Sequence, residues 1–270
     1  MLAGMHPAEA GKTFQRATLG RTGLRVGRLG VASSYGVPAA AVERAFEQGV
    51  NYFYWGTLRR GGFGDAIRHL TPQRDRFVLV IQSYTRVAGL MAWSLERALR
   101  DLKLDHADVL LLGLWNKPIP ARIMDAARRL KERSQIRFLA CSSHNRRLIA
   151  KMLADKDLDV IHFRYNAAHT GAETDIFPHI PVVDPPGMVS YTATSWGQLM
   201  NSKKTPKNET NPTAADCYRF VLTRPEVDVC MTGPANAQQM EQALEALRHG
   251  PMSEAELAWM RRVGSGIHGK

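Results

Sequence analysis

Cysteine is scarce in this 270-residue chain: there are three, Cys141, Cys217 and Cys230. An odd number with no metal-like spacing excludes a disulfide framework and a thiolate metal site. The three read as buried free thiols in a reducing compartment. No apolar run approaches the roughly 18 residues of a membrane span. Met1–Gly11 lacks the hydrophobic block of a signal peptide, so a cytoplasmic protein with a loose N-terminal tail over residues 1–16 is expected. Acidic residues are outnumbered, 25 against 36 Lys and Arg, for a net charge of +11. That surplus favours anionic ligands or acidic partners. The basic residues are scattered, without the dense tract or aromatic interleaving of a nucleic-acid binder. Gly30-Val31-Ala32-Ser33-Ser34-Tyr35-Gly36 misses the spacing of a dinucleotide-binding turn.

What is present is organised around Asp108-Val109-Leu110-Leu111-Leu112-Gly113-Leu114-Trp115. An unbroken apolar run this short, with Pro118 and Pro120 behind it, is a strand buried on both faces. Similar runs at Leu29–Ala32, Asn51–Tyr54, Phe77–Gln82, Phe138–Cys141, Val160–Phe163, Met188–Tyr191 and Asp228–Thr232 predict further strands. Amphipathic stretches at Ala39–Gln48, Asp65–Leu70, Leu90–Leu102, Ala121–Arg133, Arg146–Ala154, Thr174–Phe177, Thr213–Leu222, Ala237–Leu247 and Glu254–Val263 predict the helices between and after them. Gly56, Gly61, Gly62 and Gly64 predict a loop before the second helix, and the Thr22-Gly23 pair a tight hairpin. Strand and helix alternating eight times without a composition break give an α/β fold, a single (β/α)₈ TIM barrel over residues 17–270 behind an N-terminal β-hairpin. An open doubly wound sheet seldom needs eight strands. In a barrel, ligands meet the carboxyl ends of the strands. Asp108, Asp159 and Asp228 at the strand starts therefore read as structural, and the polar segment Asn201–Asn211 as a loop that covers the mouth or moves freely.

Several segments carry a family resemblance: Leu19-Gly20-Arg21-Thr22-Gly23-Leu24-Arg25-Val26, Gly49-Val50-Asn51-Tyr52-Phe53, Leu95–Leu102 with Asp108–Leu112, Tyr165-Asn166, and Gly233-Pro234-Ala235-Asn236-Ala237-Gln238-Gln239-Met240. In order and spacing they resemble the aldo-keto reductases over residues 17–264. The resemblance implies a barrel that reduces carbonyls with NADPH. It implies a tyrosine proton donor tuned by a lysine–aspartate pair and a histidine that orients substrate.

Carried over position by position, that aspartate falls on Tyr54, the tyrosine on Arg59, the lysine on Gln82 and the histidine on Gly113. None is kept. Gln82 cannot lend the charge that would lower a phenol's pKa. The family's 2′-phosphate arginine falls on Gln239, and its Glu-Asn pair on Gln242 and Ala243. The pair that grips the nicotinamide amide becomes Ser142-Ser143, the following glutamine becomes His162, and the stacking aromatic is kept as Tyr191, followed by Thr192. Gly233 through Asn236 could cradle a phosphate by backbone N–H groups. NADP or NAD binding is thus implied in a weakened form, with no metal.

Residues expected at the mouth include Trp55, Arg86, Trp115, His144 and Trp196, joined by Tyr35, Asn116 and Arg164, the last free or paired with Glu173 or Asp184. Such a cationic, aromatic pocket suits a flat anionic ligand. No two carboxylates converge for glycosidase chemistry. Three functions stay open. One is an aldo-keto reductase-like barrel that binds a nicotinamide nucleotide or other anionic small molecule without standard carbonyl reduction. Another is an NAD(P)H-dependent oxidoreductase whose proton donor is rebuilt from Tyr54 or Tyr84 beside Arg59 or Arg86. The last is a barrel kept for protein–protein assembly.

Overall fold

The structure, a computed structural model, describes residues 13–56, 58, 60–83 and 85–267. A two-residue ribbon of β1 (Ala17–Thr18) and β2 (Arg25–Val26) precedes eight parallel strands that close on themselves. These are β3 (Leu29–Ala32), β4 (Tyr52–Trp55), β5 (Val78–Gln82), β6 (Ala107–Leu114), β7 (Ile136–Ser143), β8 (Val160–Arg164), β9 (Gly187–Tyr191) and β10 (Val229–Thr232), with β10 returning to β3. Between them lie α1 (Ala39–Glu47), α2 (Gly61–Leu70), α3 (Met91–Leu102), α4 (Ala121–Glu132), α5 (Arg146–Met152), the short α6 (Ala172–Asp175) and α7 (Ala214–Leu222). Two helices, α8 (Ala237–His249) and α9 (Glu254–Ile267), follow the last strand.

The unbroken apolar runs of the sequence divide by parity. In β5, Val78 and Val80 point into the barrel while Leu79 and Ile81 point out toward the helices, and the other strands follow the same period of two except where β6 is interrupted beyond Leu111. The interior is thereby filled by Tyr52, Val78, Val80, Val109, Leu111, Ala140, Val160, Val189 and Val229, and plugged from below by Leu19 and Val26 of the hairpin. The outward set buries the apolar stripes of the helices. On α3 these are Met91, Leu95, Leu99 and Leu102, each worth roughly 1.5–3 kcal/mol of burial.

A polar stitch runs round the floor of the barrel on every second strand. Asn51 Oδ1 accepts the Gly27 N–H at 2.7 Å, Asp108 Oδ2 that of Leu79 at 2.8 Å, Asp159 Oδ2 that of Leu139 at 2.9 Å, and Asp228 Oδ2 that of Met188 at 2.8 Å. Each satisfies a backbone donor where the neighbouring strand begins, a group that would otherwise cost about 1–3 kcal/mol. Arg74 and Arg137 neutralise Asp108, and Lys131 neutralises Asp159. The strand-start aspartates are structural.

Two local expectations are corrected. Gly61, Gly62 and Gly64 lie inside α2 and not in a loop before it. A Cβ on Gly62 would stand 2.8 Å from the Val37 carbonyl and one on Gly64 3.2 Å from the Trp55 ring, so their smallness lets the helix seat. The Asn201–Asn211 segment neither lines the mouth nor hangs loose. Trp259 Nε1 donates to Thr210 O at 3.2 Å, and Arg262 grips Glu209 at 2.5 Å, fastening it to α9. Of the expected tail, residues 1–12 lie outside the described residues; Phe14 sits under the Arg28 guanidinium and the Arg16 carbonyl accepts from Arg25.

The three cysteines are free and buried, and burial pushes the Cys141 thiol up to about 12. Among the described residues no helix is long and apolar enough to cross a membrane, and no His, Cys, Asp or Glu side chains converge as a metal site.

Candidate functional site

Above the inward-facing valines the same parity delivers the next row of side chains to the C-terminal mouth: Tyr54 from β4, Gln82 from β5, Ser142 from β7, His162 from β8 and Tyr191 from β9. They wall a cavity of about 660 Å³, a size that suits a small-molecule ligand. Residues from the loops and from α7 complete it: Tyr35, His144, Thr192, Thr194, Trp196, Tyr218, Gly233 and Gln239.

Two of the tetrad positions face each other. Tyr54 donates its hydroxyl proton to Gln82 Oε1. The acceptor is a neutral amide, so the contact holds the phenol in place without favouring its ionisation. Arg59 and Tyr84, named for a rebuilt proton donor, lie outside the described residues. Gly113 is displaced from the mouth. The β6–β7 register slips between Leu111 and Leu114, an extra residue in β6, and Gly113 takes up the slack at φ +83°. Its carbonyl accepts Ser142 Oγ at 3.0 Å, and the Trp115 N–H donates to Ser142 O at 2.8 Å, which fastens the bulge. The side chain that reaches the cavity wall is therefore Leu114, a hydrocarbon.

The residues expected to hold a nicotinamide nucleotide are only partly brought together. Ser142, His162, Tyr191, Thr192, Gly233 and Gln239 line the cavity, whereas Ser143 and Asn236 do not. Ser143 is buried, donating to Asn116 Oδ1 at 3.2 Å and accepting from Asn145 N at 3.0 Å. His162 Nε2 meets the Tyr52 hydroxyl at 2.9 Å. Strands β4 and β8 are not neighbours, so this bond spans the barrel interior; burial lowers the imidazole to about 3, and it is neutral. Tyr191 donates to Ser143 O at 3.2 Å, its ring 6.0 Å from that of His144, and burial raises the phenol well above its ordinary range.

The expected phosphate cradle is occupied by the protein itself. Gln239 Oε1 accepts the Ala235 N–H at 2.8 Å, and Asn236 Oδ1 accepts the Gln239 N–H at 2.9 Å, capping α8. Gly233 has the Tyr35 ring laid on it, 2.5 Å from where a Cβ would stand. A dinucleotide's phosphates would meet a cradle in which the Ala235 and Gln239 N–H groups are already bonded and no arginine stands at position 239.

Of the residues named for a substrate pocket, His144 and Trp196 line the cavity. Trp55 does not, because it is one residue past inward-facing Tyr54 and so points out, packing on Phe63 beneath Arg60. Trp115 is buried, donates to Leu112 O at 2.8 Å, and is covered by Arg86, whose guanidinium lies 3.8 Å from the ring and donates to Leu114 O. Neither of that pair lines the cavity. No Lys, Arg, Asp or Glu stands among the described lining residues. Burial and the nearby Arg164 both lower the His144 pKa, keeping that imidazole neutral too. Leu114 lies at the strand end where the sequence points to chemistry, and the lone Gly113 before it marks the bulge; Tyr218 was not anticipated. For Tyr218, on a helix packed over the barrel, no local signal existed.

The segment after β9 is the most contorted part of the wall. Thr192, Ser195 and Trp196 all have positive φ, at 61°, 49° and 53°, followed by Gly197 at 80°. Left-handed backbone at non-glycine residues costs about 1–2 kcal/mol each and gathers at ligand-facing segments.

No family model and no curated protein matches the chain. Solved structures do. The holo form of aldo-keto reductase AKR11C1 from Bacillus halodurans superposes with a TM-score of 0.76 at 18% identity, covering 94% of this chain and 97% of that one. Its apo form gives 0.75 at the same identity and coverage. Such a likeness, end to end and low in identity, is one of fold: this chain is an aldo-keto reductase-like (β/α)₈ barrel.

Proposed function

We propose that this chain is a barrel that binds a flat small molecule at its mouth and does not reduce carbonyls by the proton relay of the reductases whose fold it shares. The observation that carries this reading is the pairing of Tyr54 with the neutral Gln82, beside a wall on which the bulge sets Leu114. A phenol serves as general acid near neutral pH when a cation lowers its pKa. At Gln82 an amide accepts the phenol's own proton instead. Tyr191, the other phenol at the strand ends, is moved the wrong way by burial. Neutral aromatic walls and several hydroxyls favour a planar ligand with polar edges. The nicotinamide end of a dinucleotide would suit such walls; its phosphates would have to displace Gln239 and Tyr35.

The test is a titration with NADPH and NADH followed by nucleotide fluorescence, with a panel of aldehydes and ketones assayed for NADPH oxidation. The expected outcome is weak binding of both nucleotides, with affinities within about threefold because no cation selects the 2′-phosphate, and no oxidation above the blank. NADPH bound 100-fold tighter than NADH, or turnover abolished by Tyr54→Phe or Tyr84→Phe, would establish a rebuilt oxidoreductase instead.

A further inference from the structure

The inward row of β8 runs Val160 and His162; Arg164, two residues further on, is not among the residues that line the cavity itself. Val160 packs in the barrel interior and His162 lines the cavity, while Ile161 and Phe163 between them pack outward. By strand period Arg164 continues the inward series at the rim, paired in register with Tyr191. It is half-buried, and its charge is felt by both His144 and Tyr191, two walls of the cavity.

The acids it was expected to pair with are engaged elsewhere. Glu173 is held by Arg261 at 2.9 Å and by the Tyr165 hydroxyl at 2.6 Å. Asp184 is held by Lys156 at 2.7 Å, with Arg21 at 3.7 Å. Among the described residues the Arg164 guanidinium has neither an ion-pair nor a hydrogen-bond partner. A cation drawn partly out of water without a counter-ion is unfavourable, and the arrangement gains from an anion that arrives from outside.

We propose that Arg164 is the anchor for a carboxylate on the ligand of this cavity, and that the ligand class is planar aromatic or heteroaromatic carboxylic acids. The inference rests on the reading of the mouth as a small-molecule site. A single planar guanidinium offers the two parallel N–H donors that match one carboxylate. A phosphate dianion calls for more, and two of the amides that could supply it at the start of α8, those of Ala235 and Gln239, are already bonded to Gln239 and Asn236. The Tyr191 and His144 rings, both walls of the cavity, stand 6.0 Å apart. Thr194 Oγ1 accepts the Gly197 N–H at 3.3 Å and keeps its own proton for an acceptor in the cavity.

The experiment uses three probes of one shape, 2-naphthoate, 2-naphthamide and 2-naphthyl phosphate, titrated against the full chain and its Arg164→Gln and Arg164→Lys variants. The expected result is that the wild type binds the acid about tenfold or more tightly than the amide. Arg164→Gln should erase that preference while binding the amide as before, which also reports that it is folded, and Arg164→Lys should restore part of it. Equal affinity for acid and amide in the wild type, or an acid affinity untouched by Arg164→Gln, overturns the role of Arg164 and leaves the cavity reading standing. An Arg164-dependent preference for the phosphate over the acid overturns the carboxylate class. If none of the three probes binds, the small-molecule reading of the mouth fails, and this inference with it.

Discussion

Restoring the reductase histidine at its aligned position should damage the protein and leave its mouth unchanged. Gly113 adopts φ +83° at the bulge of β6, where a Cβ would lie 3.2 Å from the Ser83 carbonyl and 3.5 Å from the Gln82 amide nitrogen. Left-handed backbone at a residue with a Cβ costs about 1–2 kcal/mol. The Ser83 contact is tighter than usual and belongs to a backbone carbonyl, which has little room to give. Gly113→Ala should therefore lose about 2 kcal/mol, lowering the melting temperature by about 4–8 °C at the roughly 2–4 °C per kcal/mol of chains this size. Gly113→His should lose at least as much. Leu114→His, on the cavity wall, should forfeit only part of one half-buried leucine, about 1 kcal/mol.

Thermal and urea melts of the three variants, with 2-naphthamide titrations on each, separate the two positions. Stability should fall at 113 and ligand affinity should change at 114. A Gly113→Ala protein that melts with the wild type would refute the left-handed bulge. A Gly113→His protein that alters ligand affinity while Leu114→His does not would refute the assignment of Leu114 to the wall.

Two further outcomes follow from the floor of the barrel. Asp108 is buried between Arg74 and Arg137 and accepts the Leu79 N–H, so Asp108→Ala strands two cations and a backbone donor; urea unfolding should show a loss of about 3–5 kcal/mol, and less than 1 would show that the stitch is dispensable. Burial pushes the Asp228 carboxyl from 3.8 up to about 6, against the opposing pull of the Met188 N–H and Arg28. The folded state thus holds this proton more tightly than the unfolded chain, and stability should fall as pH rises from about 4 to about 6, by on the order of 3 kcal/mol before solvent screening. Asp228→Asn, which keeps an acceptor for Met188, should flatten that slope and exceed the wild type at pH 7; an unchanged slope would locate the titration elsewhere.

The barrel was legible because its signals are local and redundant. Each strand is a short apolar run, each helix an amphipathic stripe, and eight alternations leave few ways to close the sheet. At the mouth, what decides a residue's role is parity, and parity is lost by a single insertion. Trp55 and Trp115 sit one residue from where they would have faced a ligand, and both became packing. Gly113 stands at a bulge that turns Leu114 toward the cavity, a consequence the sequence alone does not display. At Gly233–Asn236 the limit is a different one. A sequence shows that amides are present at a helix start but not that Gln239 and Asn236 have already claimed two of them.

The two ends of the barrel answer to different physics. At the floor, Asn51, Asp108, Asp159 and Asp228 each close a backbone donor that no solvent would reach, so a change there is paid in stability. At the mouth, Tyr54, Gln82 and Leu114 support little of the fold, and exchanging a cation for an amide there relieves desolvation. Arg164 breaks that pattern. By strand period it stands at the rim, among the described residues nothing neutralises it, and a bound anion there would offset the cost of its partial burial.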